Sequence, residues 1–196
     1  MIFQQPLKIT DMSVLDNLKL TAELVKANFS EGIDDGYDHS TTSAGRKGLR
    51  SGRVSELTAM ADLKPGGAEN LKKIMEIANG NLKGATKVGT LHDLRIVLFD
   101  NDSKILFCTA YDGDWDAYID DFATKIPQLM DIIFGNVEGW PGIKDPSVKE
   151  FILSKQITAT GWYVGVPHLT VNDVRRNDKI ITGLNKAIDE ANKIEK

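Results

Sequence analysis

The chain has a single cysteine among its 196 residues, which removes several classes of protein at once. Cys108 alone cannot form an intrachain disulfide framework or a cysteine-based metal cluster. A lone cysteine within an apolar run is most simply a small buried hydrophobic residue. The three histidines show neither HxH nor HxxxH spacing, and the carboxylates are scattered along the chain. The sequence therefore predicts no dedicated metal site.

Long apolar runs and an excess of positive charge are also missing. No apolar stretch approaches the ~18 residues that a membrane span requires. The N-terminus lacks the basic region and the apolar core of a secretory signal. The net charge of −4 argues against a nucleic-acid partner, for which a basic surface is the usual sign. We therefore expect a cytoplasmic protein with no membrane span and no nucleic-acid partner.

The first 54 residues differ from the rest of the chain. Residues 13–29 carry apolar side chains at helical spacing, with Ser13 as a candidate N-cap. Residues 30–53 are rich in glycine, contain a basic cluster and show no periodicity. A stretch of this kind is either a mobile surface segment or an arm that serves an interface or a lid. We predict an N-terminal helix and arm over 1–54 and a folded domain over 55–196.

From Ser55 onward the hydrophobic periodicity predicts a β-α-β-β-α-β order followed by a final helix. Two apolar runs flank the turn formers of residues 100–103, which is typical of an antiparallel hairpin. The long helix after the hairpin contains Pro127, so we expect a kink or a break near Lys125. The predicted strands are 55–63, 91–99, 105–110 and 157–166, and the other predicted helices are 68–82, 147–155 and 172–193.

A β-α-β-β-α-β unit is the ferredoxin-like arrangement, an α+β fold with an antiparallel sheet. Its helices lie on one face of that sheet. The other face needs a cover if it is apolar, and two such sheets packed together would enclose a barrel-like cavity. We therefore predict a homodimer or a higher homo-oligomer that forms through the sheet.

Three local features support a family resemblance over about residues 55–193. They are Lys64-Pro65-Gly66 between strand and helix, Leu91-His92-Asp93-Leu94-Arg95 at the second strand, and the stretch 109–118 before the long helix. Together they resemble the dimeric α/β-barrel superfamily, in particular uncharacterised bacterial members distantly related to monooxygenases and dye-decolourising peroxidases. The resemblance implies the fold, dimerisation and oxidoreductase chemistry with haem as a candidate cofactor. The Gly-x-x-Asp-Gly stretch of those peroxidases is present only as Tyr111-Asp112-Gly113, without its leading glycine.

The candidate catalytic residues are His92, Arg95 and Asp112. His92 begins a strand on its apolar face, either as a core histidine bonded to a carbonyl or as a general base or haem ligand. Arg95 lies in an otherwise apolar run. Its guanidinium either forms a salt bridge, with Asp93 or Asp112, or clamps a ligand carboxylate or phosphate.

The candidate cofactor-binding residues are His168, Trp162 and Tyr111. His168 follows the last predicted strand and is either a loop residue or an axial ligand. The aromatic side chains either pack in the core and interfaces or line a pocket for a flat ligand.

Two functions from different classes follow from these residues. The first is a peroxidase- or monooxygenase-like oxidoreductase that acts on a small apolar or aromatic molecule in the barrel cavity. The second is a non-catalytic ligand-binding or assembly module that dimerises through its sheet. A deep apolar cavity reached by His92 or His168 would favour the enzyme, whereas a packed cavity with Arg95 in a salt bridge would favour the module.

Overall fold

The computed structural model describes residues 13–80 and 82–194, which divide into two compact units between Tyr37 and Asp38. The first unit contains helix α1 (Val14–Glu31). Ser13 caps this helix, because its Oγ accepts the N–H of Asp16 at 3.2 Å. The predicted N-terminal helix is therefore confirmed. None of the described helices combines the length and the apolar character needed to cross a membrane.

The second unit is α+β. Its described residues form an open antiparallel sheet of six strands with five α-helices and one 3₁₀ segment. The strands are β1 (Thr42–Ser43), β2 (Leu49–Ser51), β3 (Val54–Asp62), β4 (Leu91–Phe99), β5 (Lys104–Asp112) and β6 (Gln156–Ile157). The helices are α2 (Gly67–Ile77), α3 (Trp115–Lys125), α4 (Pro127–Phe134), α5 (Val148–Lys155) and α6 (Val171–Ile194), and the 3₁₀ segment is Lys83–Val88.

Strands β3 and β5 form the centre of the sheet, and β4 forms one edge beside β5. The other side of β3 is shared by two short strands. Strand β2 pairs at Ser51↔Val54, and β6 pairs further along at Thr58↔Ile157. The predicted hairpin of β4 and β5 is confirmed, whereas part of the stretch predicted to lack structure forms β1 and β2.

The last predicted strand, 157–166, is wrong beyond its first residue. Strand β6 ends at Ile157, and the chain then runs as a loop to the start of α6. The reason lies in Glu56 of β3, whose carboxylate accepts the N–H of Ala159 at 3.1 Å. The Glu56 side chain thereby satisfies an N–H that a backbone carbonyl of β3 would otherwise accept, and the pairing of β6 with β3 stops.

Helices α3, α4 and α5 cover one face of the sheet. Trp115, Tyr118, Ile119 and Phe122 of α3 are buried against Phe107 of β5. The predicted break in the long helix is confirmed, because α3 ends at Lys125 and α4 begins at Pro127. Proline has no N–H to donate to the preceding turn, so it starts a new helix instead of continuing the old one.

The predicted helix 68–82 ends five residues early. Helix α2 stops at Ile77, and Asn79 and Gly80 follow with φ angles of 50° and 65°. Residues with left-handed backbone geometry are common terminators of helices.

Candidate functional site

The face of the sheet away from α3, α4 and α5 carries a row of apolar side chains. Met60, Leu106 and Val97 lie directly opposite one another across β3, β5 and β4. Met60 is 38% exposed and Val97 is 46% exposed, so nothing in the described part of the chain covers this row. We refer to these three residues as the apolar row.

The structure brings two of the three predicted catalytic residues into contact. A β-bulge between Leu91 and Asp93 shifts the register at the start of β4, so His92 falls outside the simple alternation. The Nε2 atom of His92 lies 2.7 Å from Oδ1 of Asp112. His92 therefore does not occupy the apolar-face position that strand alternation alone predicts.

Asp112 has a second role, because it also holds the start of α6. Its Oδ2 accepts the N–H of Val171, the first residue of that helix, at 2.9 Å. The Asp112 side chain is 9% exposed and that of His92 is 25% exposed. A carboxylate that fixes one ring nitrogen of a histidine leaves the other nitrogen available for proton transfer.

Arg95 lies on the face of the sheet that carries the apolar row. None of the described contacts joins it to the His92–Asp112 pair. It shares a row with Cys108 and Thr58, one step from the apolar row. Its guanidinium is 3.8 Å from Asp93, and both side chains are more than half exposed. Such an exposed, long ion pair contributes little to stability. Of the two carboxylates considered for Arg95, the structure therefore places Asp93 beside it.

The three predicted cofactor-binding residues have different surroundings. Tyr111 is fully buried on the helix-covered face, where its ring stacks on Tyr118 at a centroid distance of 3.9 Å. Burial raises the pKa of Tyr111 well above its ordinary value. Trp162 and His168 lie in the loop between β6 and α6, partly buried and exposed respectively. Tyr111 is thus a core residue in this structure.

The apolar space between the sheet and α3–α5 is small. Its volume is about 40 Å³, and it is lined by core side chains such as Phe107, Phe134 and Trp140. Pockets for drug-sized ligands run to about 300–1,000 Å³. Haem therefore does not fit this space, and neither His92 nor His168 is among its lining residues. Across residues 13–80 and 82–194, no group of three His, Cys, Asp or Glu side chains could hold a metal ion.

An open cleft lies beside His92. It has a volume of about 370 Å³ and is bounded by the start of β4, the 3₁₀ segment and the first turns of α6. Its polar lining comes from His92, Asp93, Thr86, Lys83 and Arg175. The cleft therefore combines a paired histidine with two cationic side chains.

Sequence reasoning missed one buried carboxylate, Glu56, which is 3% exposed. Its Oε1 accepts the N–H groups of Leu49 and Ala159, each at 3.1 Å. Its Oε2 accepts the hydroxyl of Thr58 at 2.9 Å. The only signal in the sequence is an acidic residue inside a strand-forming run, and that pattern is equally typical of a solvent-facing position.

Comparison with known proteins gives no match to a family model, to a curated protein or to a solved structure.

Proposed function

We propose that the protein is a non-catalytic assembly module that associates with copies of itself through the uncovered face of its sheet. The observation that carries this proposal is the apolar row of Met60, Leu106 and Val97. These side chains are aligned across three strands and two of them are more than a third exposed. Covering such a row removes apolar surface from water, which favours association.

The topology supports this reading. The four strands β6, β3, β5 and β4 are adjacent in that order and antiparallel throughout. With α2 between β3 and β4 and with α3–α5 between β5 and β6, this order supports the proposal of a ferredoxin-like fold. Because α3–α5 cover one face, a second sheet is a suitable cover for the other. The apolar space between the sheet and α3–α5, about 40 Å³, is too small for a ligand of ordinary size.

The test places a charge in the apolar row. In Val97→Glu, association would have to bury a carboxylate without a partner, which is strongly unfavourable. The matched control is Ile132→Glu, because Ile132 is also an exposed aliphatic residue, at 54%, but lies on α4. Sedimentation equilibrium of the full chain would give the association constant of each variant.

We expect the wild-type chain to self-associate and Ile132→Glu to match it. We expect Val97→Glu to associate at least about tenfold more weakly, which corresponds to a loss of ~1.4 kcal/mol. A wild-type chain that stays monomeric at its highest workable concentration would contradict the proposal. Equal association constants for Val97→Glu and the wild type would contradict it as well.

A second candidate function is the small-molecule enzyme, of oxidoreductase type, that the sequence resemblance implies, and the His92–Asp112 pair supports its acid–base part. The pair stands beside a cleft whose volume of about 370 Å³ suits a small ligand. In this reading His92 moves a proton, Asp112 orients its ring, and Lys83 and Arg175 attract an anionic group. Arg95, which does not line the cleft, has no role in it.

Benzoate, a small aromatic anion, is a suitable probe for the second candidate. NMR titration of the full chain should show a saturable shift of the His92 ring signals if the cleft binds such molecules. Lys83→Ser should weaken that binding, whereas Lys144→Ser, a lysine outside the cleft, should not. A titration without saturation would remove the support for this candidate.

A further inference from the structure

The open cleft beside His92 is lined by two cationic side chains that have no partner in the described part of the chain. Lys83 belongs to the 3₁₀ segment and Arg175 to the second turn of α6, and both are exposed. No described hydrogen bond or ion pair engages either of them. By contrast, Arg46 and Lys149 each contact a carboxylate. Two unpaired cations that line one cleft are suited to an anionic ligand.

Asp93 also lines this cleft, but its negative charge is already engaged. Its Oδ1 accepts the N–H of Ala110 at 3.1 Å, and its Oδ2 lies 3.8 Å from the Arg95 guanidinium. Asp93 therefore competes only weakly for Lys83 and Arg175. With Asp93 offset in this way, the lining of the cleft keeps a positive balance, which attracts an anion from solution.

His92 adds a group that distinguishes between kinds of anion. The two oxygens of Asp112 face hydrogen-bond donors, the N–H of Val171 at 2.9 Å and Nε2 of His92 at 2.7 Å. Since a carboxylate has no hydrogen to donate, Nε2 carries the proton of the neutral ring, and Nδ1 keeps a lone pair. No described residue makes a hydrogen bond to Nδ1. The ring nitrogen that is free for a ligand is therefore Nδ1.

A phosphate monoester matches these groups better than a carboxylate does. Its ionised oxygens accept hydrogen bonds from Lys83 and from the planar fork of Arg175. Its second pKa is about 6, so near neutral pH a share of the molecules also carries a P–O–H group. That group donates to Nδ1 of neutral His92, and when the ring is protonated Nδ1 donates to an ionised oxygen instead. A carboxylate, which is ionised at this pH, has only the second option.

The rest of the lining indicates the body of the ligand. The apolar side chains of Leu82, Ala85, Leu91 and Leu94 line the cleft beside the polar groups. The volume of about 370 Å³ lies near the lower end of the range for drug-sized molecules. A phosphate monoester with a small apolar or aromatic part therefore suits both the polar and the apolar side of the cleft.

We propose that this cleft binds a small phosphate monoester through Lys83, Arg175 and Nδ1 of His92. The inference rests on the cleft of the second candidate function, and it requires neither a reaction nor association of the sheets. Because Lys83 and Arg175 belong to different elements, the bound phosphate also ties the 3₁₀ segment to α6.

The test is an NMR titration of the full chain with phenyl phosphate, near neutral pH and at constant ionic strength. The His92 ring signals should shift and saturate. Lys83→Ser and Arg175→Ser should each raise the dissociation constant at least about fivefold, because each removes a charge-assisted hydrogen bond. The matched controls are Lys87→Ser in the same 3₁₀ segment and Lys179→Ser in the same helix. Both lysines are exposed and neither lines the cleft, so both controls should bind like the wild type.

Benzoate provides the comparison, because it joins the same ring to a carboxylate, and phenyl phosphate should bind at least about fivefold more tightly. Equal dissociation constants for the two probes would overturn the proposal, and so would equal effects of Lys83→Ser and Lys87→Ser. Saturable binding of benzoate alone would overturn it while leaving the second candidate function in place, whereas no saturation with either probe would remove both. Saturable binding of phenyl phosphate to a chain that stays monomeric would support it and contradict only the association of the sheets.

Discussion

The buried carboxylate of Glu56 joins two segments that are distant in sequence, and its removal should release both. Strands β2 and β6 share one side of β3, and Glu56 lies where they approach each other. Its Oε1 receives one N–H from each side, from Leu49 and from Ala159. Glu56→Ala deletes this shared acceptor, whereas Glu56→Gln keeps one carbonyl oxygen in its place.

The size of the effect follows from the groups left without partners. A buried N–H without an acceptor costs about 1–3 kcal/mol, so two of them would cost about 2–6 kcal/mol. Both hydrogen bonds are only partly buried, so water can replace some of the loss. We therefore expect Glu56→Ala to lower the free energy of unfolding by about 2–3 kcal/mol, the lower part of that range. For a chain of this size the melting temperature should fall by about 4–12 °C.

Glu56→Gln should lose much less stability, about 1 kcal/mol or below, because its carbonyl oxygen still accepts both N–H groups. Urea unfolding gives the free energies, and amide hydrogen exchange gives the local effect. In Glu56→Ala, the amides of Leu49 and Ala159 should lose protection together.

Two results would refute this reasoning about Glu56. One is a Glu56→Ala variant within about 0.5 kcal/mol of the wild type, as expected for an ordinary surface substitution. The other is a loss of protection at Leu49 or at Ala159 alone, which would show that the two segments do not share one acceptor.

Two further predictions concern Asp173 and the stacked tyrosines. Hydrogen bonds from the Thr170 side chain and backbone hold the pKa of Asp173 below its usual value. Its contribution to α6 is therefore complete above about pH 4, the unfolded pKa, and is lost as the pH falls through the lower folded pKa. Far-UV circular dichroism should show this acid loss of helix in the wild type but not in Asp173→Asn. The Tyr118 hydroxyl lies 2.6 Å from Oγ1 of Thr109, so Tyr118→Phe should cost about 1 kcal/mol in urea unfolding. No described residue gives the Tyr111 hydroxyl a well-formed hydrogen bond, so Tyr111→Phe should be neutral or slightly stabilising, and equal losses in both variants would contradict this.

The elements that the sequence predicts well are those fixed by local chemistry. The hairpin of β4 and β5 follows from two apolar runs around turn-forming residues, three of which take left-handed geometry at Asp100, Asn101 and Asp102. The break between α3 and α4 follows from Pro127, because proline lacks the backbone N–H that would continue the helix.

Elements fixed by distant contacts are predicted poorly. The run 157–166 has the composition of a strand, yet the free side of β3 is already occupied by β2 and by the Glu56 carboxylate. Strand β2 lies in a glycine-rich stretch without periodicity, and it is positioned by distant contacts, namely its pairing with β3 and the Glu56 carboxylate.

The candidate site shows the same division. Sequence alone singles out His92 and Asp112, but their contact depends on the bulge after Leu91, which belongs to the pairing of β4 with β5. The burial of Tyr111 in the core and the loop location of Trp162 and His168 likewise depend on which face each strand residue takes and on where β6 ends.

The bulge at His92 has a consequence for how copies of this chain can meet. Strand β4 is an outer strand of the sheet, and an outer strand offers a free backbone edge on which other chains can add strands without limit. The bulge bends that edge, and Asp93 and Arg95 place charges along it, which are common protections against such growth. The β4 edge is thereby protected from open-ended strand addition, so association between copies, as proposed above, would use side-chain contacts instead of backbone pairing.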